Sequence, residues 1–409
     1  MALPPELCCR IAKFIRQTDS QSLQEKSHEN WKTEHKTLTS LSFVSRIWRD
    51  VVTPILWSQL NFVTVKYGDI EAVSDQIFHA SHILAYSRPK SEPKLSTYVE
   101  CLTIYIKNPS TRAVQDTEID LRIMKLLSLT SDLRYLRIML NPSRVPVLTH
   151  LSYLKYPRLK VVDIDFDESS RRNDQLSLGE FLVNNPSIED VRLVVERPIQ
   201  WRSLREYNPL PKMKRFIGNF SQLGLLASAP ELTSVECEVT RRTLVRLDFI
   251  NELSLLANPF PNVTHLCVYS LPIPLYVDTV GAISQSFPAL ESLEGLSVTK
   301  LFIEFMKSPA EEIAGCLSRL QTIAMSERVG FGTSYVDGVM EPEIDNESME
   351  RAFESLPHFF PTIRVAIHVK NEANPIPIIR RLEMRYLPSG NTMERTEEIP
   401  DPVEFFMNT

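Results

Sequence analysis

Glycine is scarce in this chain, 11 residues in 409. That argues against glycine-rich turns that cradle phosphates, and no Walker loop, dinucleotide fingerprint, nucleophile elbow or zinc-protease helix occurs. Cysteine is sparse too. The six cysteines show neither C-x-x-C spacing nor the density of a secreted disulfide framework, so free thiols are expected. No apolar run approaches the ~18 residues that a bilayer crossing needs, and a charged-then-apolar secretory layout is missing at the amino terminus. An excess of positive charge is also lacking. With 45 basic and 51 acidic residues the net charge is -6, which leaves no electrostatic footprint for nucleic acid or an anionic membrane. The expected location is therefore cytoplasm or nucleus.

What is present reads as a folded chain. Hydrophobic residues make up 43% and charged residues 23%, without a tract biased enough to predict wholesale disorder. The length exceeds one compact core of ordinary size, which implies two domains or a repeat array.

The amino terminus carries two apolar periodicities. Leu3, Leu7, Ile11 and Ile15 fall four residues apart, with Phe14 beside them, predicting a short helix started by Pro4, Pro5 and Glu6. Leu38, Leu41, Val44, Ile47, Trp48 and Val51 repeat at three and four residues, predicting a second helix that Pro54 stops or kinks. Two such helices make a thin core. A module of about 50 residues rarely buries enough apolar surface to stand alone, so its leftover face calls for a partner or a neighbouring domain.

Read together, L-P-x-E-L-x-x-x-I-x-x-x-I from Leu3, L-x-x-V-S-R-x-W from Leu41 and the closing Leu56-Trp57 resemble the F-box. That module joins a protein to a Skp-type adaptor and, through it, to a cullin-type ubiquitin ligase. The resemblance implies adaptor contacts at Leu3, Pro4, Leu7, Ile11, Val44 and Trp48. One departure is a polar insert from Arg16 to Thr37, where the family passes between helices in a few residues; a surface excursion is expected there, since loop insertions cost little closure entropy.

Beyond Ser96 a phrase recurs: apolar, two variable, apolar, one variable, apolar. It appears at Val99, Leu102, Ile104; Leu133, Leu136, Ile138; Leu159, Val162, Ile164; Ile188, Val191, Leu193; Leu232, Val235, Cys237; Val263, Leu266, Val268; Leu293, Leu296, Val298; and Leu320, Ile323, Met325. The steps run from 26 to 44 residues, and the longest hides a degenerate copy at Met213, Phe216 and Gly218. Helical stretches are expected at 118–130, 145–155, 176–183, 243–256 and 301–317. Strand then helix, renewed in this way, is the pattern of a leucine-rich repeat solenoid, in which stacked units bury what no single unit can. The fold class read from the chain is thus α/β, a solenoid of parallel strands and helices behind a small all-α F-box domain. A doubly wound sheet is the rival, disfavoured by short alternating strands and by the scarcity of glycine.

Expected boundaries are 1–60 for the helical domain, 61–95 for a connecting helix and loop, 96–375 for the repeats and 376–409 for a tail that wraps or frays. An acidic loop is expected from Glu327 to Ser348, and a last strand with Ile363, Val365, Ile367 and Val369. The alternation points Tyr135, Arg137, Asp163, Asp165, Arg192, Glu236, Glu238, His265, Cys267 and Tyr269 outward. They are candidates for target recognition, weighed against the plainer reading that they are solvated strand faces. Asp163, Asp165 and Asp167 resemble the start of a calcium loop but lack its glycine and its closing glutamate, and His79 with His82 lacks a third ligand, so neither a metal nor a cofactor is expected. By resemblance, the chain is a substrate receptor of a Skp-cullin-F-box ubiquitin ligase and no enzyme itself, holding an unidentified target protein. The alternative keeps the adaptor but drops ubiquitin transfer, leaving a scaffold.

Overall fold

A computed structural model describes residues 3–16, 28–64, 70–86, 94–107, 117–141, 145–166, 172–195, 210–219, 223, 229–238, 250–251, 253–254, 260–269, 275–307, 310–313, 315–329, 335–336, 339–340, 344–372 and 378–398. The chain divides into two compact units, Met1–Ile188 and Glu189–Thr409.

The first unit begins with three helices: α1 (Pro5–Arg16), α2 (His28–Ser42) and α3 (Arg46–Trp57). Then β1 (Gln59–Val63), α4 (Ile70–Ala85), β2 (Cys101–Lys107), α5 (Thr117–Leu129), β3 (Tyr135–Asn141), α6 (Val145–Ser152), β4 (Val161–Phe166) and α7 (Arg172–Asn184) alternate. The four strands are parallel and lie in chain order. Register explains the core. Leu102 stands opposite Leu136 and then Val162, while Ile104 stands opposite Ile138 and Ile164, and all six are buried. A fixed turn at the end of α7 holds the connections. Buried Asn185 accepts a hydrogen bond from the Tyr156 backbone at 2.6 Å and donates to the carbonyls of Leu154 and Phe181.

The second unit runs β5 (Asp190–Val195), β6 (Arg215–Gly218), β7 (Ser234–Glu238), β8 (His265–Tyr269), α8 (Val277–Ser286), β9 (Ser292–Ser297), α9 (Lys300–Phe305) and β10 (Thr322–Val329). A small hairpin, β11 (Tyr335–Val336) and β12 (Val339–Met340), precedes α10 (Asn346–Phe359), β13 (Val365–Glu372), β14 (Ile378–Arg385) and β15 (Thr392–Glu398). Strands β5 to β10 and then β13 are parallel in chain order, and β14 and β15 add antiparallel ones. Among the described residues strand order reverses in neither unit, so neither shows the switch point of a doubly wound sheet. Met213, just before β6, and Phe216 on it are both buried, which places the degenerate copy where the long step required it.

Several expectations are corrected. The helix expected from Leu38 through Val51 is two helices, because Ser45 turns extended and its hydroxyl accepts from the Trp48 backbone as the cap of α3. Pro54, expected to stop or kink this helix, does not end it; it sits in the last turn of α3. Part of the supposed loop insert belongs to α2, which begins at His28. The boundary at residue 60 falls inside β1, and 61–95 holds α4 with Val73, Ile77 and Leu84 buried, so it is more than a connector. Within 376–409, Ile378–Arg385 and Thr392–Glu398 are sheet instead of a fraying tail, while 399–409 lies outside the described residues. The 243–256 helix lies mostly outside them as well.

Two phase corrections share a cause. In β9 the phrase was read three residues late: Leu293 aligns with Leu266 and Ile323, and one extra residue at Gly295 carries Leu296 back to the core. Gly295 has φ +83 and its missing Cβ would lie 2.1 Å from the Val268 carbonyl oxygen. In β13 the core side holds Ala366, His368 and Lys370, whereas Val365, Ile367 and Val369 take the other face. A bulge and a polar core strand both defeat a purely hydrophobic count.

Two substitutions test the register. Gly295→Ala should cost about 3 kcal/mol or more, through the left-handed backbone and the clash with β8, while Gly281→Ala, which meets nothing within 4 Å, should not destabilise. Leu136→Asp should unfold the first unit by about 4 kcal/mol or more. Denaturant unfolding measures both; equal tolerance of Gly295→Ala and Gly281→Ala would disprove the bulge.

Candidate functional site

The amino-terminal helices bury little and expose much. Ala12, Leu38 and Val52 form the buried centre, with Ile15, Leu41, Trp48, Val51, Ile55 and Leu56 packed partly buried around it. Small Ala12 lets α1 come close but contributes little area. On the outside, Leu3 and Leu7 are 44% and 42% exposed, Phe14 is 81%, Phe43 78%, Val44 66% and Ile47 37%. Leu7, Ile11 and Phe14 lie on one side of α1 by their spacing of four and three. Phe43 and Val44 are thrown outward by the tight corner between α2 and α3, which closes when their amides donate to the carbonyls of Ser40 and Leu41.

Against the candidate adaptor residues, the structure leaves Leu3, Pro4, Leu7 and Val44 exposed and Ile11 half-buried. Trp48 differs. Its ring packs against the helical core, so it serves the fold at least as much as any outer surface. Phe14 and Phe43, which the motif did not select, are the most exposed of the set. Fully burying a leucine, valine, isoleucine or phenylalanine contributes about 1.5–3 kcal/mol, so six half-covered side chains leave on the order of 5 kcal/mol to a partner that covers them.

The candidate recognition residues on the strands are less open than alternation predicts. Asp163, Glu236 and Cys267 are buried, which corrects their reading as solvated. The cause lies across the strands. Arg137 stands directly opposite Asp163 and its Nε lies 3.0 Å from the carboxylate. Arg215 reaches diagonally to Glu236, with Nε donating at 2.8 Å. His265 Nδ1 lies 3.8 Å from Glu294, which also accepts from Ser292. Tyr135, Asp165, Arg192 and His265 are partly exposed. The side chains of Glu238 and Tyr269 lie outside the described residues, as does Asp167. Of the candidates, the first unit joins Arg137 with Asp163 as an ion pair; Arg215 and Glu294 are polar-face residues that the sequence pattern did not single out.

Among the described residues no group of three or more metal-ligating side chains is found, and no helix is long and apolar enough to cross a membrane. Cys237 is buried in β7, and desolvation pushes its thiol pKa well up, consistent with a core side chain. No family model matches the chain, and no curated protein is detectably similar to it.

The Arg137 and Asp163 pair has a measurable signature. Arg137→Ala should destabilise by about 2–4 kcal/mol by removing the ion-pair partner of a buried carboxylate, while Arg137→Leu with Asp163→Val should recover most of the loss. A double-mutant cycle with no coupling would remove the pair from the account.

Proposed function

We propose that this chain is a non-catalytic receptor subunit, docking by its amino-terminal helices on a Skp-type adaptor of a cullin ubiquitin ligase and holding a target protein on its repeats. The observation that carries this reading is the open apolar face: Leu3, Leu7, Phe14, Phe43 and Val44 are exposed on the amino-terminal helices and the segments that flank them, while the buried cluster among the described residues there is Ala12, Leu38 and Val52. A face of that kind is incomplete by itself and complete when covered. The motif resemblance places Leu3, Pro4, Leu7 and Val44 at adaptor contacts, and those four are among the exposed residues. Parallel strands in chain order, with helices between many of them, support the leucine-rich repeat reading of the remainder.

In this reading the chemistry belongs to other subunits. The chain raises the effective concentration of target lysines near a conjugating enzyme, and it needs no reactive side chain to do so. Outward side chains on the strands supply the target contacts, with Tyr135, Asp165, Arg192 and His265 the accessible members of the candidate set.

Co-expression with the adaptor tests it. The wild type should copurify with adaptor and with cullin, and Leu7→Asp with Val44→Asp should weaken adaptor binding about 100-fold or more while leaving the unfolding transition intact. Undiminished binding by that variant, or none by the wild type, would refute the docking; adaptor without cullin would favour a scaffold over a ligase receptor.

A further inference from the structure

We propose that a groove at the strand-start rim of the second unit binds an anionic peptide segment, an assignment independent of the adaptor reading. The groove measures about 780 Å³ and gathers Arg319, Arg364 and Arg385 against a single carboxylate, Glu291. Its walls are fixed by backbone hydrogen bonds. The residue preceding β10 and β13 donates to the residue preceding the neighbouring strand, Gln321 to Glu291 at 2.8 Å and Arg364 to Gln321 at 2.8 Å, and Tyr386, just after antiparallel β14, donates to Arg364 at 2.9 Å. Thr362 adds hydroxyl bonds to the carbonyls of Ser318 and Leu320.

Near the starts of several other strands, opposite charges on neighbouring segments pair. Arg134 lies 3.5 Å from Glu100 and Arg158 lies 4.0 Å from Asp132 in the first unit, and Lys214 lies 2.9 Å from Glu189 in the second. At the groove the pairing is broken, because uncharged Gln321 stands between Glu291 and Arg364. Among the described residues neither Arg319 nor Arg364 has an ion-pair partner, and both are exposed. Arg385 is partly committed, since it shares Glu383 with Arg381; those guanidiniums hold the Glu383 carboxyl below the usual range, Arg381 foremost.

The ligand class follows from charge, size and lining. Guanidinium forks recognise planar or tetrahedral oxyanions in two-pronged fashion. A lone phosphate would fill a small part of the volume, which matches a ligand of several residues. Pro361, Leu387 and Pro388 give the groove apolar wall beside the cations, which suits a peptide carrying carboxylates or a phosphate between apolar side chains. An extended nucleic acid is a poorer fit, because the chain carries a net charge of -6.

Fluorescence anisotropy on the full chain tests this with three labelled octapeptides of alternating residues: glutamate with leucine, phosphoserine with leucine, and glutamine with leucine. The acidic peptides should bind and the glutamine peptide should not; which acidic peptide binds tighter tells carboxylate from phosphate. Affinity should fall as salt rises past ~0.1 M. Arg319→Glu and Arg364→Glu should each weaken binding about tenfold or more, and Lys155→Glu in the first unit should not. If a charge reversal disturbs folding, Arg319→Gln and Arg364→Gln replace it, with the same loss expected. Equal binding of the glutamine peptide, no binding of either acidic one, or affinity unmoved by the arginine changes would overturn the proposal.

Discussion

A parallel strand has no hairpin partner, so its backbone groups are satisfied only from the strands on both sides and only in one register. The described structure depends on that constraint. Register sets Leu136 between Leu102 and Val162, and by the same alignment sets Arg137 between Thr103 and Asp163. The apolar core and the charged face are therefore two sides of a single alignment. Slipping it by one residue would bring the arginine inside and the leucine out, which couples the strength of the core to the pairing of the charges.

Much of this alignment was legible in the chain, because short half-buried strands write their inward side as alternating hydrophobics. Legibility failed where another strand decides. Gly295 adds one residue to β9, and the only local sign of it is the glycine, whose reason is the Val268 carbonyl on the neighbouring strand. In β13 valine and isoleucine occupy the less buried face, while His368 and Lys370 lie on the buried one, an inversion that hydropathy cannot express. Exposure was misread for a related reason. Asp163 and Glu236 do point to the polar face, but long arginines of adjacent strands cover them, and covering is a cross-strand property.

The amino-terminal helices obey a different balance. Their core centres on Ala12, Leu38 and Val52, so the helices pack closely and still remove little apolar area from water. The periodicity that suggested one long second helix was real, yet Ser45 breaks it with a cap, and that corner is what displays Phe43 and Val44. Thin core and open face are thus one fact described twice. Any partner that covers the face stabilises the helices in proportion to its occupancy, since ligands that bind only the folded state shift the folding equilibrium toward it.

The two surfaces differ in the physics that would hold a partner. An apolar face gains from releasing water, changes little with moderate salt and gives slow dissociation once covered. A groove with two uncommitted guanidiniums attracts at longer range, speeds encounter and weakens as ions screen it. A chain bearing both can hold one partner durably while exchanging another quickly. The glutamine at position 321 is the small change that makes the second possible, because a carboxylate there would stand beside Arg364 and neutralise it from within.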